Sequence, residues 1–70
     1  MDRKILDVFD NIHRLGVVHN DVRPENVLIA QSDGSVWVVD FEHAGIGDEV
    51  SYNIERQLVV EMIHDVRMRT

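Results

Sequence analysis

The sequence predicts a small α+β domain, because helix-like and strand-like patterns alternate along its seventy residues. Apolar residues at helical spacing occupy both ends of the chain, around Ile5 and again around Leu58. Between them lie two runs of β-branched residues, separated by a turn that contains Asp33 and Gly34. The predicted order is a helix, a short strand, a polar loop, an antiparallel hairpin, a second loop and a C-terminal helix.

The first helix is predicted over residues 2–15, where apolar side chains recur on one face: Ile5, Phe9 and Ile12. Gly16 is typical of a helix end, because glycine adopts the left-handed conformation without steric cost. The two valines that follow Gly16 predict a very short strand. His13 is interpreted as a surface or boundary residue of the helix.

The hairpin is predicted from residues 27–30 and 36–39, joined by the loop 31–35. If the strands pair about the centre of that loop, and no bulge shifts the register, Asn26 lies opposite Asp40. Directly opposed side chains share a face, with their Cβ atoms about 4.5–5.5 Å apart. An amide oxygen and a carboxylate at that spacing form half of a hard-cation site, which suits Mg²⁺ when phosphate completes the shell.

A second helix is predicted over residues 51–68, with Ser51 as its N-cap. Residues 41–49 contain glycines and mixed charge, and are predicted to form a loop. The acidic residues of this half of the chain are interpreted as a solvated helix face: Glu49, Glu55, Glu61 and Asp65.

Composition restricts the class of protein. Hydrophobic residues make up 44% of the chain, which favours a folded core, but a chain this short buries only about 60% of its unfolded surface. The absence of cysteine excludes disulfides and thiolate chemistry. A net charge of −6 argues against nucleic acid or an anionic membrane as partner. Without a signal peptide or an apolar run of about 20 residues, a cytoplasmic location is expected.

Two short motifs carry the chemistry. Residues 19–26 read His-Asn-Asp-Val-Arg-Pro-Glu-Asn, which has the His-x-Asp-x-x-x-x-Asn spacing of a kinase catalytic loop. Residues 40–42 read Asp-Phe-Glu, in the place of the kinase Asp-Phe-Gly motif. The stretch 12–44 therefore resembles the catalytic centre of the protein-kinase-like superfamily, in the C-terminal lobe.

This resemblance implies a role for each matching residue. Asp21 corresponds to the catalytic base that accepts the proton of the substrate hydroxyl, and Arg23 takes the place of the residue that contacts the γ-phosphate. Asn26 and Asp40 correspond to the residues that hold Mg²⁺ and, through it, ATP. His19 corresponds to the core histidine that braces the loop.

The sequence also departs from the pattern of the protein kinases. Asn20 replaces the arginine of His-Arg-Asp, the usual anchor for a phosphorylated activation loop. Small-molecule kinases of the aminoglycoside and choline type also lack that arginine, so proteins and small molecules both stay open as substrates. The sequence has no glycine-rich loop and no Val-Ala-Ile-Lys strand. Residues 1–70 are therefore expected to be a partial kinase-like domain, a slice of the C-terminal lobe with no N-terminal lobe.

Three hypotheses follow for the function. The first is an ATP-dependent phosphotransferase, represented by a catalytic-core fragment that is expected to be inactive in isolation. The second is a non-catalytic, pseudokinase-like remnant that binds a protein partner, or itself, through exposed apolar surface. The third is an unrelated metal-binding hairpin domain. Nucleotide binding with Mg²⁺ separates the first from the second, whereas the third predicts cation binding without nucleotide.

Overall fold

The computed structural model describes residues 2–68, over which the chain forms two helices and two small antiparallel sheets. This confirms the predicted α+β class. In chain order the elements are α1 (Asp2–Arg14), β1 (Val17–Val18), β2 (Val27–Ile29), β3 (Val36–Val38), β4 (Gly45–Ile46) and α2 (Glu49–Met68).

The core lies between the two helices and one face of the β2–β3 hairpin. Its buried apolar residues come from α1 and α2: Ile5, Phe9, Val59 and Ile63. The hairpin packs partly buried valines against them: Val27, Val36 and Val38. Because side chains alternate along a strand, Leu28 and Trp37 face outward as a directly opposed pair. The catalytic-type loop is thus attached to a hairpin that is covered on one face only.

The hairpin forms as predicted, but its register is shifted by one residue. Val27 lies opposite Val38, so the strands pair about a loop of four residues and not of five. The Ala30 N–H donates to the Ser35 carbonyl at 2.8 Å and closes this loop. Gly34 has φ +75° and donates to the Ala30 carbonyl at 2.8 Å, a left-handed turn that shortens the connection.

The shift corrects the prediction that Asn26 and Asp40 are directly opposed. The backbone partner of Asn26 is Val39, whose N–H donates to the Asn26 carbonyl at 2.9 Å. Asp40 is therefore one position beyond the opposed pair. The relation between the two predicted metal ligands depends on the backbone conformation of Asp40, which a count of loop residues does not reveal.

The very short strand after Gly16 was predicted and forms as β1, but its partner β4 was not predicted, because a two-residue strand carries no measurable periodicity. The β1–β4 sheet pairs Val17 with Ile46 and Val18 with Gly45, and β4 lies in a stretch that had been predicted as loop. This pairing places the chain that follows Asp40 beside the chain that leads into His19. The two motifs are therefore joined at this sheet as well as at the hairpin.

Helix α2 begins two residues before the predicted position, and its N-cap is Asp48 and not Ser51. The Asp48 Oδ1 atom accepts the Ser51 N–H at 2.9 Å, and the Ser51 Oγ atom accepts the Asp48 N–H at 3.1 Å. This reciprocal pair satisfies two donors at the start of the helix. The hydroxyl and the N–H of Ser51 also lower the pKa of the Asp48 carboxyl.

Apolar side chains are exposed on the outer face of the hairpin and along α2. They include Leu28, Trp37, Ile54 and Leu58. Neither helix within residues 2–68 is long and apolar enough to cross a membrane.

Candidate functional site

His19 anchors the start of the catalytic-type loop. Its side chain is fully buried, and its Nε2 atom lies 2.8 Å from the Val39 carbonyl. Its Nδ1 atom accepts the Asp21 N–H at 3.2 Å, so these partners assign the proton of the neutral ring to Nε2. The rings of Phe9 and Phe41 pack against it edge-on. The histidine therefore ties the loop to the end of β3, which is the bracing role implied by the resemblance.

The Asp21 carboxylate lies at the centre of the loop with both oxygens engaged. Oδ1 accepts the Arg23 Nε–H at 2.8 Å, and Oδ2 accepts the Asn26 Nδ2–H at 3.2 Å. Asn26 Nδ2 also donates to the Asp21 carbonyl at 2.9 Å. The structure thus brings together three of the four site residues that the sequence predicted.

Asn26 is held in place by the local backbone. It ends a single 3₁₀ turn, Pro24–Asn26, in which the Asn26 N–H donates to the Arg23 carbonyl at 3.0 Å. Proline is suited to the first position of such a turn because its φ is fixed near −65°. The Asn26 side chain is buried, and the bonds to Asp21 use its amide nitrogen. The amide oxygen is the atom that is left to ligate a cation.

Asp40 takes no part in the hydrogen bonds of this cluster and is exposed. It follows Val39 directly and adopts a left-handed backbone conformation with φ +63°, which aspartate tolerates better than most residues. Side chains alternate along a strand, so an extended Asp40 would point away from the face of the residue before it. The left-handed conformation breaks that alternation and starts a second 3₁₀ turn, Phe41–His43.

The donor set at the loop and the hairpin fits a hard cation. Asn26 offers an amide oxygen, and Asp21 and Asp40 offer carboxylate oxygens, which Mg²⁺ prefers. Within residues 2–68, however, no group of three or more His, Cys, Asp or Glu side chains is close enough to hold a metal alone. The described carboxylate and histidine side chains therefore do not form a complete metal centre by themselves.

Glu55 is the residue at this site that the sequence interpretation missed. It was assigned to a solvated helix face, but its side chain is buried in α2. Its Oε1 atom accepts the His19 N–H at 2.9 Å, and its Oε2 atom accepts the Asn20 N–H at 2.8 Å. A signal was present: Glu55 precedes Val59 and Ile63 at four-residue spacing, so it continues the buried stripe of α2.

The charge of Glu55 is stabilised where it lies. Burial alone raises the pKa of its carboxyl. The hydrogen bonds from the backbone of His19 and Asn20, together with the imidazole of His13, outweigh that effect and lower the pKa below its usual value. Glu55 is therefore an anion that holds the backbone of the loop just before Asp21.

His13 is buried, which corrects its assignment to the surface or boundary. Its Nε2 atom lies 2.8 Å from Glu55 Oε1, and its ring stacks on Tyr52 with the centroids 5.1 Å apart. The Tyr52 hydroxyl in turn donates to the Gly47 carbonyl at 2.9 Å. The histidine is buried because α2 supplies a carboxylate at this position, and the sequence of α1 does not reveal that partner.

A family model matches most of the described chain. The family model described as "APH: Phosphotransferase enzyme family" matches residues 2–51. The match extends from α1 into the first turn of α2 and includes all four predicted site residues: Asp21, Arg23, Asn26 and Asp40.

Shorter stretches are similar to curated protein kinases. The chain is 40% identical to 3-phosphoinositide-dependent protein kinase 1 of Arabidopsis thaliana, over 54% of its length and 8% of that protein. It is 45% identical to cGMP-dependent protein kinase 2 of Rattus norvegicus, over 57% of its length and 5% of that protein. It is 36% identical to the serine/threonine-protein kinase PKH1 of Saccharomyces cerevisiae, over 71% of its length and 6% of that protein. The chain thus spans less than a tenth of these relatives. No solved structure matches it.

Proposed function

Because the chain belongs to the phosphotransferase enzyme family APH, we propose that its loop and hairpin supply the catalytic centre for transfer of the γ-phosphoryl group of ATP. The acceptor is a hydroxyl group on a protein or a small molecule. The observation that carries the proposal is the Asp21 carboxylate, oriented by Asn26 on one oxygen and paired with Arg23 on the other. Phosphoryl transfer depends mainly on such positioning and on neutralisation of phosphate charge.

Asp21 acts as the base that accepts the proton of the attacking hydroxyl. Its Oδ2 atom is fixed by the buried Asn26, whereas its Oδ1 atom is paired with a side chain that can move. The side chain of Arg23 is 58% exposed, so its ion pair with Asp21 contributes little to stability and rearranges readily. When Arg23 turns to the γ-phosphate, Oδ1 becomes free to accept the proton.

Asn26 and Asp40 are the residues that would hold Mg²⁺ against the phosphates. Asn26 presents its amide oxygen from a fixed, buried position, and Asp40 presents its carboxylate from the left-handed turn after β3. When bound, the cation supplies charge neutralisation of the β- and γ-phosphates. The contribution of the chain is to hold the two ligands on adjoining backbone segments, linked by the Val39 N–H and the Asn26 carbonyl.

A non-catalytic binding module is the second candidate. It is favoured by exposed apolar residues such as Leu28 and Trp37, which offer contact surface to a partner. In that case the Asp21–Arg23 pair would stay closed, and the loop would serve as structure alone.

The experiment that separates these functions is NMR of the seventy-residue chain with Mn²⁺ in place of Mg²⁺. The paramagnetic ion broadens the amide signals of residues that lie near it. We expect Mn²⁺ with a non-hydrolysable ATP analogue to broaden the signals of Asp21, Asn26 and Asp40, at high ligand concentration because binding is weak. Asp40→Asn should reduce the broadening, and the matched change Asp33→Asn in the exposed hairpin loop should not.

The other outcomes contradict the proposal. Equal broadening by Mn²⁺ with and without the nucleotide would indicate a metal-binding hairpin domain. No selective broadening at these three residues would favour the non-catalytic module.

A further inference from the structure

Asn20 is the second residue of the first motif and adopts an unusual backbone conformation. Its φ is +68°, in the left-handed region, where asparagine is among the few side chains that are tolerated. Its backbone N–H donates to Glu55 Oε2 at 2.8 Å. This bond and the turn fix the direction in which the side chain leaves the loop.

The side-chain amide of Asn20 reaches across to the second motif. Its Nδ2 atom donates to the His43 carbonyl at 3.0 Å. His43 ends the 3₁₀ turn that starts directly after Asp40, and Asn20 directly precedes Asp21. One hydrogen bond therefore links the neighbour of the proposed base to the turn of the proposed metal ligand.

This bond lies in an interval that is otherwise exposed. On one side, the Val39 carbonyl is held by His19, and on the other, Gly45 pairs with Val18 in the β1–β4 sheet. Between these backbone links, residues 40–43 are all exposed. Within that interval the Asn20 side chain binds the His43 carbonyl, and the Phe41 ring packs edge-on against His19.

We infer that Asn20 is a positioning residue that ties the Asp40 turn to the catalytic loop in the unmodified chain. This inference rests on the proposed function, because it concerns how the proposed base, Asp21, and the proposed metal ligand, Asp40, are held at a fixed position relative to each other. The donor is the neutral side-chain amide of Asn20 and the acceptor is the neutral carbonyl of His43. This hydrogen bond therefore does not require a negatively charged group such as a phosphate. Where the resembling protein kinases place an arginine that binds a phosphorylated residue, this chain places an asparagine that binds a backbone carbonyl.

The test is hydrogen exchange by NMR on the unmodified seventy-residue chain, with its intact mass verified. Asn20→Gly keeps the left-handed backbone and removes the amide, so it isolates the side-chain bond. We expect exchange of the Ala44 amide, which is bonded to the Phe41 carbonyl in the same turn, to rise about 2- to 10-fold, as loss of one hydrogen bond predicts. The amides of α1 should not change.

Two further variants sharpen the test. Asn20→Asp keeps the shape and the backbone preference but sets a carboxylate oxygen against the His43 carbonyl, so its exchange should be at least as fast as in Asn20→Gly. Asn53→Asp introduces the same charge on the exposed surface of α2 and should leave Ala44 unchanged. A scalar coupling across the Asn20 Nδ2–His43 carbonyl bond should be present in the wild type and absent in both Asn20 variants.

Unchanged Ala44 exchange in Asn20→Gly would overturn the inference. An equal rise in α1 and in the turn would overturn it too, because it would show general destabilisation. Since exchange is measured without nucleotide, its result is independent of the Mn²⁺ experiment. If Ala44 exchange is unchanged in Asn20→Gly but Mn²⁺ broadening depends on the nucleotide, the role of Asn20 is refuted and the proposed function stands. If Ala44 exchange alone is faster in Asn20→Gly but Mn²⁺ with the nucleotide causes no selective broadening, the role of Asn20 stands and the proposed function is refuted.

Discussion

Glu55 of α2 and His13 of α1 meet in the interior, with His13 Nε2 2.8 Å from Glu55 Oε1. The same carboxylate accepts the backbone N–H groups of His19 and Asn20. A single buried anion therefore joins both helices to the start of the catalytic-type loop. In this arrangement α2 supports the loop as well as the core.

Glu55→Gln should destabilise the fold. The amide of glutamine offers one acceptor oxygen, so its NH₂ group would face an N–H donor of the loop or the donor of His13. Leaving a buried donor without an acceptor costs about 1–3 kcal/mol. We expect the free energy of unfolding in urea to fall by about that amount.

The matched control is Glu61→Gln, which makes the same change on the exposed part of α2. Glu61 meets Gln57 at 3.5 Å, and its replacement should change the free energy of unfolding by less than about 0.5 kcal/mol. Equal effects of the two substitutions would contradict the support role of Glu55.

The stability contributed by Glu55 should depend on pH with a defined sign. Its pKa in the folded chain is lowered, so the unfolded chain binds the proton more readily. The stabilisation is complete above the unfolded pKa of about 4.3 and is lost as the pH falls through the folded value. The carboxyls of Asp33 and Asp48 also have a lowered pKa. Because both carboxyls are present in the wild type and in Glu55→Gln, their contributions cancel when the free energies of unfolding of the two proteins are subtracted.

The measurement is urea unfolding of the wild type and Glu55→Gln from neutral pH downwards. The difference in free energy of unfolding should shrink as the solution is acidified. A difference that stays constant across the range would refute this assignment.

The outer face of the hairpin should make the chain associate. Trp37 is 63% exposed and lies directly opposite Leu28, so two large apolar side chains share one uncovered face. We expect a marginally stable chain whose sedimentation coefficient rises with concentration, and Leu28→Ser with Trp37→Ser should reduce that rise. The control is Ile46→Ser, which removes an exposed apolar side chain from β4. It should not reduce the rise of the sedimentation coefficient with concentration.

A cooperative thermal transition that is independent of concentration would argue against this prediction. It would do so most clearly if the midpoint lay well above the range of about 45–65 °C that is usual for mesophilic domains.

The seventy-residue chain should show no ATP turnover with Mg²⁺. Asp21, Asn26 and Asp40 can act on phosphates only when these are positioned, and the sequence contains no glycine-rich loop or Val-Ala-Ile-Lys strand to position them. Positioning accounts for about 7–11 kcal/mol of barrier lowering, and the net charge of −6 opposes the nucleotide. We expect the wild type to match Asp40→Ala in an ATPase assay. Turnover that Asp40→Ala abolishes would prove this prediction wrong.

The local features of this protein could be predicted from its sequence. The periodicity of α1, the end at Gly16, the β-branched runs of the hairpin and the spacing of the two motifs each depend on neighbouring residues. Helix caps, turns and strand patterns are set by such short-range chemistry. The spacing of the motifs also sufficed to identify the resemblance to the kinases.

Tertiary structure decided the features that depend on distant partners. The hairpin register followed from a four-residue turn at Gly34, and one residue of slip changed which side chain faces Asn26. The burial of Glu55 and His13 depended on each other across 42 positions of sequence. A polar side chain is stable in the interior only where partners from other segments satisfy it, and periodicity within one helix carries no record of those partners.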